Sequence, residues 1–196
     1  MIDIFSIFIW ALLSFNVKVL QPDQIVINKN DKVLLMGDSH VENLDYVISR
    51  LAKKDGIEFK SVYVIGSTIR QWSIPVTKGW NLTSKWQSIY DFHPTIVLVS
   101  LGSNDAYSGD SGEIYVKDFL ELMKNIENDY KIVWICPPTL ARAKVGEEHV
   151  YNMIKYLGIE HYDSRDIEID MEPDKLHTNG KGRKVWGNWI WNKLTH

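Results

Sequence analysis

The sequence predicts a three-layer α/β/α sandwich built on a roughly five-stranded parallel sheet. Two observations lead there: short, unbroken apolar runs alternate with segments of helical periodicity, and one run has the uninterrupted Ile-Val-Leu-Val core of a strand buried on both faces. At 196 residues the chain fits a single domain large enough to bury a full core.

The elements follow in order. Val33 to Met36 reads as the first strand, and the helix after it carries Leu44, Val47, Ile48 and Leu51 on one face. Val62 to Ile65 is the expected second strand. Thr95 to Leu101, set off by His93 and Pro94, is the third. A helix over Glu113 to Glu127 places Phe119, Leu122, Met123 and Ile126 on one side and leads into a strand over Lys131 to Cys136, which Pro137 and Pro138 terminate. Glu147 to Leu157 is a further helix, Ile159 to Tyr162 a fifth short strand, and Gly180 to Leu194 a Trp-rich closing helix. No internal repeat or low-complexity tract interrupts this pattern.

Composition narrows the function. A net charge of -3 offers no electrostatic reason for a polyanionic partner, so nucleic acid is not expected. The basic run Lys181 to Lys184 reads as a solvated helix face. Cys136, the single cysteine, lies inside an apolar run and reads as a buried, inert thiol; no metal-ligand spacing appears, and no cofactor is implied.

In an open parallel sheet, ligands bind beyond the carboxyl ends of the strands. Three strand ends carry reactive or donor residues: Gly37-Asp38-Ser39-His40, Gly66-Ser67-Thr68 and Gly102-Ser103-Asn104-Asp105. A fourth element, Asp174-Lys175-Leu176-His177, precedes the last helix, and its offset of three lets one turn of chain return a carboxylate to the imidazole. Asp38 and Asp105 read as structural hydrogen-bonding groups. His40, His93, His149, His161 and His196 have no partner pattern and read as ordinary histidines.

These four blocks, in this order, resemble those of the SGNH (GDSL-type) hydrolases over about residues 32 to 194. The resemblance implies a flavodoxin-like strand order and a metal-free serine esterase site. Ser39 would be the nucleophile, with His177 and Asp174 as its base. Ser39 and Gly66 would give backbone N–H groups, and Asn104 its side-chain amide, to an oxyanion hole. The second block is the weakest match, and its alternative reading makes Gly66 only a turn glycine, with Ser67 or another N–H in the donor role. His40 stands where the family's older name places leucine.

Substrate clues are fewer. Trp72, Trp80 and Trp86 fall between the second and third strands, where they would either stack on sugar rings or pack a long loop. The expectation is a small acyl ester, acetyl first, on carbohydrate. Lipid or thioester hydrolysis, or acyl transfer, by the same residues is the nearest alternative. A catalytically silent module in an envelope or viral particle is the alternative from another class. Residues 1–30 are expected to form a hydrophobic segment and connector ahead of a catalytic domain over 31–196. The apolar stretch Ile4 to Phe15 spans only about 18 Å as a helix, too short for a bilayer core of about 30 Å. It reads as an anchor or signal-like segment, or as a helix docked on a membrane or an assembly. A secreted, membrane-associated or virion-associated setting is therefore favoured over a plain cytoplasmic one.

Overall fold

The computed structural model describes residues 25–109, 113–127, 129–140 and 147–196. The apolar stretch 4–15 and the start of the connector lie outside the described residues. Residues 25 to 27 already belong to the body: Ile25 is buried, and the Ile27 N–H donates to the Leu194 carbonyl at 2.7 Å. The packed chain thus begins ahead of the boundary expected at residue 31.

Five parallel strands form the central sheet in the order β2-β1-β5-β6-β7. They are β1 (Lys32–Gly37), β2 (Glu58–Tyr63), β5 (Ile96–Ser100), β6 (Lys131–Ile135) and β7 (His161–Tyr162). Counting only these strands, the order is 2-1-3-4-5, the flavodoxin-like arrangement. The side chains alternate between layers because a strand has a period of two. Leu34, Met36, Val97, Val99 and Trp134 enter one core, and Val33, Leu35, Ile96, Leu98, Val133 and Ile135 the other. Burial on both faces explains why these runs read as continuous apolar sequence.

Helix α1 (Ser39–Asp55) and the last helix α7 (Gly180–Thr195) cover one face. Asp38 caps α1 by accepting from the His40 N–H, and Gly56 ends it in the left-handed region. Leu44, Ile48 and Ala52 of α1 pack with Trp186, Ile190, Trp191 and Leu194 of α7. Each large side chain buried there contributes about 1.5–3 kcal/mol relative to exposure. The other face holds α2 (Ile69–Ser73), α3 (Thr83–Tyr90), α4 (Ser103–Ser108), α5 (Glu113–Met123) and α6 (Glu147–Tyr156). A small hairpin, β3 (Val76–Thr77) with β4 (Trp80–Asn81), lies between α2 and α3.

Three elements differ from expectation, the shortest being β7, which holds only His161–Tyr162 of the expected Ile159 to Tyr162. The second strand lies at Glu58–Tyr63 rather than Val62 to Ile65, and Ile65 is 61% exposed beyond its end. As an edge strand, β2 buries only Val62 fully, so it lacks the apolar run that marks an interior strand. Helix α5 stops at Met123 instead of Glu127. Residues 124–126 continue it as tight turns, in which the Ile126 N–H reaches the Met123 carbonyl at 3.0 Å, and Ile126 remains buried.

Candidate active site

Strands β1 and β5 are neighbours, but the chain leaves β1 for β2 on one side and reaches β5 on the other. The carboxyl ends of β1 and β5 therefore flank a crevice where ligands bind in such sheets. Gly37 closes β1 at φ +152°, and a Cβ there would stand 1.9 Å from the Ser100 carbonyl oxygen. Only glycine allows the two strand ends to approach this closely. The next N–H, of Asp38, donates to that same carbonyl at 3.1 Å.

Ser39 is the first residue of α1, where the helix dipole favours negative charge. Its Oγ lies 3.0 Å from His177 Nε2, across 138 residues of sequence. His177 is held by a loop that Met171 and Thr178 close with an antiparallel bridge. Asp174 Oδ1 accepts from the N–H groups of Leu176 (2.8 Å) and His177 (3.0 Å), while Oδ2 accepts from His177 Nδ1 at 2.7 Å. These bonds, first that to the His177 side chain, hold the Asp174 carboxyl well below the usual carboxylate range. An ionised carboxylate can only accept, so Nδ1 carries the proton and Nε2 is left to accept from the Ser39 hydroxyl. Lys175 takes the turn at φ +59°, in the left-handed region.

The three expected oxyanion donors differ in the partners they now have. The Ser39 N–H has no protein acceptor among the described residues, as expected for the first turn of a helix. The Gly66 N–H likewise has none among the described residues, and Gly66 sits at φ +75°. The Ser67 N–H, by contrast, closes a turn onto the Val64 carbonyl at 3.2 Å. Asn104 Nδ2 donates to the Ser67 carbonyl at 2.9 Å and, more weakly, to Asp38 Oδ2 at 3.3 Å.

Buried carboxylates tie these loops together. Asp38 accepts from the Ser103 hydroxyl (2.6 Å) and the His40 N–H (2.9 Å), and Asp105 accepts from the Ile69 N–H at 3.1 Å. Trp72 was not legible as part of this scaffold. Its Nε1 donates to Ser67 Oγ at 2.9 Å, and that hydroxyl donates to the Val64 carbonyl at 2.7 Å, holding the turn that presents Gly66.

Trp72 and Trp86 do not form a sugar platform. Trp72 and Trp86 are buried, meet edge to face at 5.9 Å, and continue through Phe119 to Trp134. Their faces are spent on the core, and Trp86 Nε1 donates to the Trp72 carbonyl at 3.0 Å. Trp80 packs half-buried against the same cluster. What borders Ser39 and His177 instead is an open pocket of about 340 Å³, lined by Glu42, Asn43, Glu172, Thr178 and Arg183 with Ile65 as its apolar wall. Cys136 is buried, and burial raises its thiol pKa further from neutrality. Among the described residues no group of three His, Cys, Asp or Glu side chains is placed to hold a metal ion.

His40, which directly follows the nucleophile, is fully enclosed. Its ring meets Trp186 edge-on at 5.4 Å and lies 5.9 Å from the His177 ring, and neither ring nitrogen has a hydrogen-bond partner among the described residues.

Compared by sequence, the chain matches no protein-family model and no curated protein. Compared by structure, it resembles a protein from Parabacteroides merdae named for its likeness to GDSL lipases (TM-score 0.64, 14% identity, 87% of this chain and 98% of that one). It also resembles a family 3 carbohydrate esterase of Clostridium thermocellum (0.63, 17%, 84% and 94%). A third likeness is to the catalytic domain of a peptidoglycan O-acetyltransferase from Streptococcus pneumoniae (0.55, 17%, 84% and 92%). The fold is therefore the α/β/α sandwich of the SGNH hydrolases.

Proposed function

We propose that this chain is a serine esterase that removes small acyl groups, acetyl first, from carbohydrate. The observation that carries the proposal is the hydrogen-bonded series from Ser39 Oγ through the His177 ring to Asp174, at 3.0 and 2.7 Å. Ser39 Oγ attacks the ester carbonyl carbon while His177 Nε2 takes its proton, and Asp174 stabilises the imidazolium formed. The carbonyl oxygen becomes an oxyanion beside the N–H groups of Ser39 and Gly66 and the Asn104 amide; losing one such donor commonly costs about 2.7–4 kcal/mol. Collapse breaks the ester C–O bond, and His177 returns the proton to the departing sugar hydroxyl. Water, deprotonated by the same imidazole, then cleaves the Ser39 acyl ester and releases the acid.

The pocket supports the substrate class. Seven of its eight lining residues carry polar side chains that can meet sugar hydroxyls, and Ile65 is the one apolar residue. One of the structural neighbours is named a carbohydrate esterase and another a peptidoglycan O-acetyltransferase. The test is hydrolysis of 4-nitrophenyl esters of increasing chain length, and of acetylated glycans, by wild type and Ser39→Ala. Acetyl should be favoured, and Ser39→Ala should lower kcat by about 10⁴- to 10⁶-fold. Retained hydrolysis in Ser39→Ala overturns the proposal. The O-acetyltransferase likeness favours one second reading, transfer of the acyl group to a sugar rather than to water. Product partition in the presence of an acceptor sugar separates the two.

A further inference from the structure

Arg183 brings a positive charge to the pocket beside Ser39, which Glu42 and Glu172 also line. It lies in the first turn of α7, with Nη2 3.6 Å from where a Cβ on Gly180 would stand, so the partial positive charge of the helix start adds to its own. Its guanidinium lies 5.2 Å from the centre of the Tyr46 ring, and Arg50 covers the same ring at 3.9 Å. Tyr46 is exposed and follows Glu42 and Asn43, which line the pocket, by one turn of α1. Among the described residues neither arginine forms an ion pair, although Glu42 and Glu172 line the same pocket and Asp45 lies one turn along α1.

We infer that Arg183, braced on Tyr46 and assisted by Arg50, binds a carboxylate on the sugar whose ester Ser39 cleaves. The inference rests on the esterase reading and deepens it: the substrate is an acidic glycan. A guanidinium resting on an aromatic ring keeps its N–H edge directed outward, and that fork matches a carboxylate with two parallel hydrogen bonds. The two glutamates serve the neutral part of the ligand by accepting from sugar hydroxyls.

The test uses a matched pair, O-acetylated methyl glucuronoside and O-acetylated methyl glucoside. Wild type should show a kcat/KM at least about tenfold higher on the uronoside, with the difference in KM and shrinking as salt is raised. Arg183→Gln should lower kcat/KM about tenfold more on the uronoside than on the glucoside, and Arg183→Lys should lose part of the preference. In parallel, Ser39→Ala protein is titrated with both sugars. Equal hydrolysis of the two by wild type overturns the carboxylate site and leaves the esterase reading standing. Tighter binding of the uronoside without hydrolysis by wild type leaves the carboxylate site and overturns the esterase. Neither binding nor hydrolysis overturns both.

Discussion

Ser39 Oγ and His177 Nε2 stand 3.0 Å apart although 138 residues separate them, and the ring between Ser39 and Asp174 is oriented by a carboxylate on its own loop. Asp174 both fixes the tautomer through its side chain and caps the turn through the N–H groups of Leu176 and His177. Asp174→Asn keeps the size of the side chain but presents a donor to Nδ1, which favours the wrong tautomer. The expected result is a loss of about 10²- to 10⁴-fold in kcat with KM nearly unchanged, the lower end reflecting the partial exposure of this carboxylate. Because the Asp174 carboxyl ionises well below the usual range, the acid limb of the wild-type pH–rate profile does not arise from it. Steady-state kinetics of both proteins over pH 5–9 check the assignment.

His40 predicts a pH dependence of stability. Burial lowers its pKa, Asp38 raises it in part, His177 lowers it further, and Asp174 offsets some of that. The folded state thus holds a neutral ring at pH values where the unfolded chain, with a histidine pKa of about 6.5, binds a proton. The contribution is constant above that value and is lost as pH falls below it, at up to about 1.4 kcal/mol per pH unit. His40→Leu removes both the proton linkage and the two unpartnered nitrogens. Urea unfolding at pH 7.5 and pH 5 should show a larger drop for wild type than for His40→Leu. Equal drops would mean that the ring is not held neutral.

Trp72 offers a test of scaffold against substrate contact. Trp72→Phe keeps most of the buried ring but removes the bond to Ser67 Oγ, leaving that hydroxyl with the Val64 carbonyl alone. Stability should fall by about 1–3 kcal/mol. Loosening of the turn at Gly66 should lower kcat by up to about tenfold while KM for an acetylated glycan stays within twofold. A selective rise in KM would restore the sugar-stacking role that burial argues against.

What was legible in the sequence follows a physical pattern. Interior strands announce themselves because both faces are buried, so β1, β5 and β6 were readable within a residue or two, and sheet order came with the family resemblance. Edge strand β2 was displaced because only Val62 is fully enclosed. The five-residue α2 and eight-residue α3 are too short to show helical periodicity. Asp174 and His177 were readable as a pair because they are local. The Asn104 acceptors, the Trp72 to Ser67 bond and the Arg183 to Tyr46 contact were not, since each joins segments that only tertiary packing brings together.

Lys175 lies in the left-handed region at φ +59°, between the two members of the Asp174–His177 pair, where a residue with a Cβ costs about 1–3 kcal/mol. Its N–H donates to the Glu172 carbonyl at 2.9 Å, and the Glu172 N–H donates to the His177 carbonyl at 2.7 Å, so the loop is closed on both sides of the strained residue. Asparagine tolerates this conformation better than lysine, and a β-branched residue tolerates it worse. Lys175→Asn should raise the free energy of unfolding by about 0.5–1 kcal/mol with kcat within twofold of wild type. Lys175→Val should lower it by about 1–2 kcal/mol and reduce kcat, because the turn that keeps Asp174 on the His177 ring is then harder to hold. Denaturant midpoints and kcat measured on the same preparations check both, and a stabilising Lys175→Val would show that the loop does not need the left-handed turn.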